Sequence, residues 1–138
     1  SRTAMSQSYP TKAQLGLTVL LVEDTPATQR LMSHILKRLG CETILADHGR
    51  AAVEQYTQEI GSVDLILMDM NMPVMNGFEA TRRLRELGVV QPIVALTAMD
   101  DEMRNRCLKA GCDHCLAKPI DREKLYDLLV KVQRGIME

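Results

Sequence analysis

Val19-Leu20-Leu21-Val22-Glu23-Asp24-Thr25-Pro26 is the stretch that decides the fold. Its four apolar residues run without a break instead of alternating, which fits a strand covered on both faces. Two carboxylates end the run. Thr25 then offers an N-cap and Pro26 a preset first helical position, so the strand passes straight into a helix. That helix carries Leu31, Ile35 and Leu39 at every fourth position, and Gly40 stops it.

The same unit recurs down the chain. A second strand fits Glu42 to Ala46, followed by a helix over about Arg50 to Ile60 with Ala52, Val53 and Tyr56 inward, closed by Gly61. A third strand, Asp64 to Asp69, again ends in a carboxylate. The polar turn Asn71 to Gly77 leads into a helix from Phe78 to Leu87, ended by Gly88. Ile93 to Leu96 reads as the fourth strand, ending at Thr97. Asp100 or Asp101 caps a helix to Ala110, and Gly111 ends it. Cys115 to Ala117 is a short fifth strand ending at Lys118-Pro119. Asp121 begins a last helix with Leu125, Leu128, Leu129 and Val132 at helical spacing. Five βα units with right-handed crossovers predict an α/β fold: a five-stranded parallel sheet in the order 2-1-3-4-5, helices on both faces, the flavodoxin-like arrangement.

Composition narrows the function classes. The chain has 138 residues, 46% hydrophobic and 25% charged, with a net charge of −1, enough for one domain with its own core. Residues 1-14 are polar and aperiodic and read as a flexible tail or linker; the domain proper is expected over 15-138. Near-neutral charge and only Tyr9, Tyr56, Phe78 and Tyr126 as aromatics argue against direct nucleic-acid binding. No apolar run approaches the roughly 20 residues that cross a bilayer, so no membrane contact is expected of this domain. Without an apolar leader segment at the N-terminus, the four cysteines read as reduced thiols in a cytoplasmic protein.

The polar residues fall in a telling place. Glu23 and Asp24, Asp69, Thr97 and Lys118 each sit at the C-terminal end of a predicted strand, and in a parallel sheet those ends share one edge, where ligands bind. Clustered carboxylates repel one another, and a hard divalent cation with oxygen ligands is the natural remedy. Magnesium fits, with Asp24 and Asp69 as direct ligands and Glu23 acting through water. A Thr97 hydroxyl and a Lys118 ammonium facing the same pocket suit phosphoryl oxygens. Asp69 would be the nucleophile, forming an acyl phosphate.

With these residues in place, the sequence closely resembles the receiver domain of two-component response regulators, from about Leu17 to Gln133. The resemblance rests on Leu20-Leu21-Val22-Glu23-Asp24, on the run Leu67 to Gly77 around Asp69, on Leu96-Thr97-Ala98 and on Leu116-Ala117-Lys118-Pro119. It implies that Asp69 accepts phosphate from a histidine kinase or histidine phosphotransfer protein. It also implies that the main-chain carbonyl of Asn71 completes a metal site made with Glu23, Asp24 and Asp69, and that Thr97 and Lys118 bind phosphoryl oxygens. Lys118-Pro119 is expected to be cis. The stretch Met72 to Arg82 looks most like receivers fused behind a hybrid sensor histidine kinase, which would tether the domain to a membrane-bound protein.

The family usually places Tyr or Phe three residues before the lysine; here Cys115 stands there, so no ring couples Thr97 to the surface. Cys112-Asp113-His114-Cys115, with Cys107 nearby, is not read as a zinc site, because side chains alternate along a strand and no second CxxC occurs. His34 and His48 read as surface or loop residues. Met32 and Leu36 widen the apolar face of the first helix beyond its Leu31, Ile35, Leu39 stripe, as a kinase-docking surface would. An apolar Met99, flanking the path of hydrolytic water, is expected to slow loss of the phosphate. Two other functions compete: a degenerate receiver acting as a phosphorylation-independent binding module, and an aspartyl-phosphate hydrolase. The hydrolase wants an acid two residues after the nucleophile, where Asn71 stands. No nucleotide-binding motif of the G-x-x-x-x-G-K-[ST] or G-x-G-x-x-G kind occurs.

Overall fold

The computed structural model describes residues 15–58, 62–72, 75–98 and 100–136. The expectations for the tail over 1-14, for Gly61 and for Met99 lie outside the described residues. Five strands and five helices alternate: β1 Thr18–Val22, α1 Pro26–Arg38, β2 Glu42–Ala46, α2 Gly49–Gln58, β3 Leu65–Asp69, α3 Gly77–Glu86, β4 Ile93–Thr97, α4 Asp101–Ala110, β5 His114–Ala117 and α5 Arg122–Arg134. The strands form one parallel sheet in the order β2-β1-β3-β4-β5. This is the expected order.

Strand alternation divides the core in two. Leu20, Val22, Ile66, Met68, Ile93, Ala95 and Cys115 point to the side covered by α2, α3 and α4. Val19, Leu21, Leu65, Leu67, Val94, Leu96 and Leu116 point to the side covered by α1 and α5. Strands β1, β3 and β4 are sealed on both faces, which is why their sequences are continuous apolar runs. At the sheet edge β2 leaves Leu45 44% exposed, so its sequence is mixed.

The starts of α3, α4 and α5 follow local chemistry, and that of α1 does not. Asp100 and Asp121 cap α4 and α5, their carboxylates accepting from Met103 N (2.7 Å) and Glu123 N (2.8 Å). Asn76 caps α3 by accepting from Glu79 N. Thr25 occupies the N-cap position of α1 but makes no capping bond there; its hydroxyl lies 3.5 Å from Asp24 Oδ1 instead. The expected stripe of α1 also shifts. Met32 and Leu36 enter the core with Ile35, Leu39 is half-buried, and Leu31 is 53% exposed. The apolar residue that α1 offers to solvent is therefore Leu31, and Met32 and Leu36 do not widen a docking face. His34 is exposed, whereas His48 is half-buried and its Nδ1 accepts from Ala51 N at the start of α2.

Cys107, Cys112 and Cys115 lie on the same side of the sheet, packed in one core with Thr81, whose hydroxyl is 3.8 Å from Cys112 Sγ. Strand alternation does not separate them, because Cys107 descends from α4 and Cys112 precedes β5. Burial pushes the Cys107 thiol up to about 12 and Cys112 to about 11, and raises Cys115 and Cys41 as well. The nucleophilic form is thus suppressed. We expect iodoacetamide at pH 8 to label these cysteines slowly in the native protein and rapidly in urea, read by intact mass. The linkage runs one way: above the ordinary thiol value of 9.0 the unfolded chain releases protons that the native chain keeps, so stability falls as pH rises from there towards 12.

Candidate functional site

The C-terminal edge of the sheet gathers the residues that the sequence singled out. Asp69 is the last residue of β3, 1% exposed, and opposite Leu96 in β4. Its Oδ1 accepts from Lys118 Nζ at 2.9 Å and from the main-chain N–H of Asn71 at 3.1 Å. Lys118 follows β5 in a cis peptide with Pro119, and its ammonium also lies 3.8 Å from Glu23 Oε1. Glu23, Asp24 and Asp69 each present a carboxylate oxygen, and these oxygens lie within 4.8 Å of one another. The loop that starts at Asp69 is pressed tightly: a Cβ on Gly77 would meet the Asp69 carbonyl at 2.5 Å and Met70 Cα at 2.7 Å, so only glycine lets α3 begin so near the strand end.

Glu23 is held on three sides. Its main-chain N–H donates to Ala46 O at 3.0 Å, its carbonyl accepts from Gln29 Nε2 at 2.6 Å, and its Oε2 accepts from Thr25 N at 3.2 Å. Its Oε1 is buried and has no hydrogen-bond partner among the described residues. Desolvation raises the Glu23 pKa; the Thr25 N–H opposes it, the Asp69 carboxylate adds to it, and Lys118 opposes it. A buried carboxylate oxygen without a hydrogen bond, beside two further carboxylates and with one ammonium 3.8 Å away, is what a hard cation satisfies. The residues present therefore fit magnesium.

Thr97 ends β4, fully buried, level with Ala117 in β5. In this structure its hydroxyl donates to Ala98 O at 3.4 Å, and its carbonyl accepts from Lys118 N at 3.0 Å. It stands beside the carboxylates without bonding to them. Two residues that sequence reading missed also reach the site. Gln29 in α1 spans from the Glu23 carbonyl to Asp47 Oδ1 at 2.9 Å, tying the helix to a loop residue 18 positions further on. No local pattern announces such a pair.

Comparison with known proteins agrees with this geometry. The family model of the response regulator receiver domain matches residues 19–130. The chain belongs to that family, the receiver domains of two-component signalling. It is 36% identical to "Two-component response regulator 24" of Arabidopsis thaliana, over 96% of this chain and 95% of that protein. It is 34% identical to "Sensor histidine kinase RcsC" of Salmonella typhi, over 91% of this chain but 14% of that protein. Among solved structures it resembles the receiver domain of the Pseudomonas aeruginosa sensor histidine kinase PA1611, with magnesium coordinated in its active-site cleft (39% identity, TM-score 0.76, 86% of this chain and 98% of that one). It also resembles a Saccharomyces cerevisiae co-crystal of the histidine phosphotransfer protein Ypd1 and the receiver domain of Ssk1 (26%, TM-score 0.81, 96% and 95%). Among the described residues no helix is long and apolar enough to cross a membrane.

Proposed function

We propose that this chain is a phosphoaccepting receiver in a phosphorelay, taking a phosphoryl group from a phosphohistidine onto Asp69. The observation that carries the reading is the Lys118 ammonium 2.9 Å from Asp69 Oδ1, inside a cluster of three carboxylates. Both hydrogen bonds described at Asp69 fall on Oδ1, which orients Oδ2 for attack on phosphorus. The P–O bond of an acyl phosphate forms as the P–N bond of phosphohistidine breaks, and the imidazole leaves with the electron pair. Asp24 and Asp69 are the direct ligands we assign to magnesium, with Glu23 through water and the Asn71 carbonyl completing the set. Bound there, magnesium would supply positive charge to the transferring phosphoryl oxygens. Lys118 and the Thr97 hydroxyl, once it turns from Ala98, bind those oxygens.

The partner is a histidine kinase or phosphotransfer protein, a reading supported by the Ypd1 complex of a similar receiver and by Leu31 standing exposed on α1. Residues 15–138 form the receiver unit, and 1–14 a tail or linker beside it. Origin in a hybrid kinase, and through it attachment to a membrane, is supported by the likeness to the PA1611 receiver and to a short part of RcsC. The length of the full open reading frame tests it.

The central test is incubation with a small-molecule phosphodonor and magnesium, followed by intact mass spectrometry of the native protein and of Asp69→Ala. One magnesium-dependent, base-labile phosphoryl adduct, absent from the variant, is the expected result. No adduct on the native protein, where a control receiver is labelled and a cognate kinase also fails to label it, would overturn the reading in favour of a phosphorylation-independent binding module.

A further inference from the structure

Gln29 bonds to neither Asp69 nor Lys118, yet its one amide nitrogen serves two acceptors at this edge. Nε2 donates to the Glu23 carbonyl at 2.6 Å and to Asp47 Oδ1 at 2.9 Å. The two protons of a primary amide are thereby both committed. One acceptor belongs to the β1–α1 loop and the other to the β2–α2 loop. The Glu23 peptide is gripped from both ends, its N–H by Ala46 O and its C=O by Gln29. Each anchor comes from or leans on the same stretch, Ala46-Asp47. With Thr25 N holding Oε2, the buried Oε1 is left with no hydrogen bond among the described residues and only the Lys118 ammonium 3.8 Å away.

We propose that Gln29 is a positioning residue for the cation site, and that with Asp47 it forms a strut fixing the Glu23 peptide so that Oε1 faces the site already oriented. This rests on the reading of the acidic cluster as a magnesium site. The strut matters because the three carboxylates repel one another and the loop bearing Glu23 and Asp24 would relax away from Asp69 if released. Ordering that loop in advance removes a cost that cation binding would otherwise carry. Groups outside the ligand set that orient ligands in this way commonly change metal affinity 10–100-fold when removed.

The test is isothermal titration of the full chain with magnesium chloride, alongside the metal-free thermal midpoint. Gln29→Ala should weaken magnesium binding by about 10-fold while leaving the metal-free midpoint close to that of the native protein. Asp47→Asn keeps an oxygen acceptor for the amide and should bind magnesium nearly as the native protein does. Gln29→Glu, which presents a carboxylate with no proton to donate against two acceptors, should bind no better than Gln29→Ala. Native-like affinity in Gln29→Ala overturns the strut while leaving the magnesium reading intact. A weaker affinity matched by an equally lowered metal-free midpoint also overturns it, reducing Gln29 to a packing residue. Absence of magnesium binding by the native protein would sink the metal reading itself and the strut with it.

Discussion

Replacing Arg85 with alanine is expected to lower the unfolding free energy by about 3 kcal/mol, among the larger effects available to a residue outside the buried apolar core. The reason is the number of orphaned acceptors. Arg85 Nε donates to Gly111 O at 2.9 Å, Nη1 to Val89 O at 3.0 Å and Gln91 O at 2.8 Å, and Nη2 to Asp113 Oδ2 at 2.7 Å. Asp113 Oδ2 in turn accepts from Ile93 N at 2.9 Å, so one guanidinium ties the end of α3, the approach to β4 and the α4–β5 turn together. In the variant three carbonyls lose their guanidinium donor, and the Asp113 carboxylate loses its cation and keeps only the Ile93 N–H. The side chain is 25% exposed, and water reaches some of these acceptors, which keeps the loss below the sum of four charged hydrogen bonds. Arg85→Lys should recover little, since a single ammonium cannot span four acceptors set out for a planar fork. Asp113→Asn retains an acceptor for Ile93 N and should cost about 1 kcal/mol. Urea unfolding of the three variants measures this. A loss under about 1 kcal/mol for Arg85→Ala would show that water replaces the guanidinium at little cost.

That network was illegible beforehand, and the contrast with what was legible has a physical cause. The order of the sheet could be read because β1, β3 and β4 are buried on both faces, which forces unbroken apolar runs, and because glycine follows α1, α3 and α4 in left-handed conformation. The convergence of the candidate site could be read because parallel strands deliver their last residues to one edge, so bringing Glu23, Asp24, Asp69 and Lys118 together needed no knowledge of distance. Arg85 and Asp113 are 28 residues apart, and Gln29 and Asp47 are 18 apart; such pairs depend on how loops fold over the sheet. The phase of α1 failed for a subtler reason. Leu31, Met32, Ile35, Leu36 and Leu39 contain two overlapping stripes, and only contact with β1, β3 and α5 selects Met32, Ile35 and Leu36. The Thr25 hydroxyl lies by Asp24 Oδ1 rather than capping α1, a choice between neighbours that residue type does not decide.

The second large effect concerns Lys118. Substituting methionine keeps the bulk of the stem and removes the charge, and phosphoryl uptake from a small-molecule donor is expected to fall by about 10²–10³-fold. The ammonium acts on two states of the protein. Before transfer it lies 2.9 Å from Asp69 Oδ1 and 3.8 Å from Glu23 Oε1, offsetting part of the repulsion among the carboxylates. In the transfer proposed above it would meet charge building on the phosphoryl oxygens, and only this second role would accelerate the reaction. The two roles separate by measurement. Loss of the first lets the Glu23 carboxyl rise further, because Lys118 is one of the two influences holding it down. A carboxyl raised in the native state is a burden when ionised. Its penalty is present above the native pKa and fades as pH falls towards the unfolded value, so metal-free Lys118→Met should gain stability on acidification from pH 8 more steeply than the native protein. Its magnesium affinity should hold or improve, since a cation has left the site. Slow transfer with intact magnesium binding would place Lys118 on the phosphoryl group. Slow transfer accompanied by lost magnesium binding would instead mean that the lysine serves only to assemble the carboxylates.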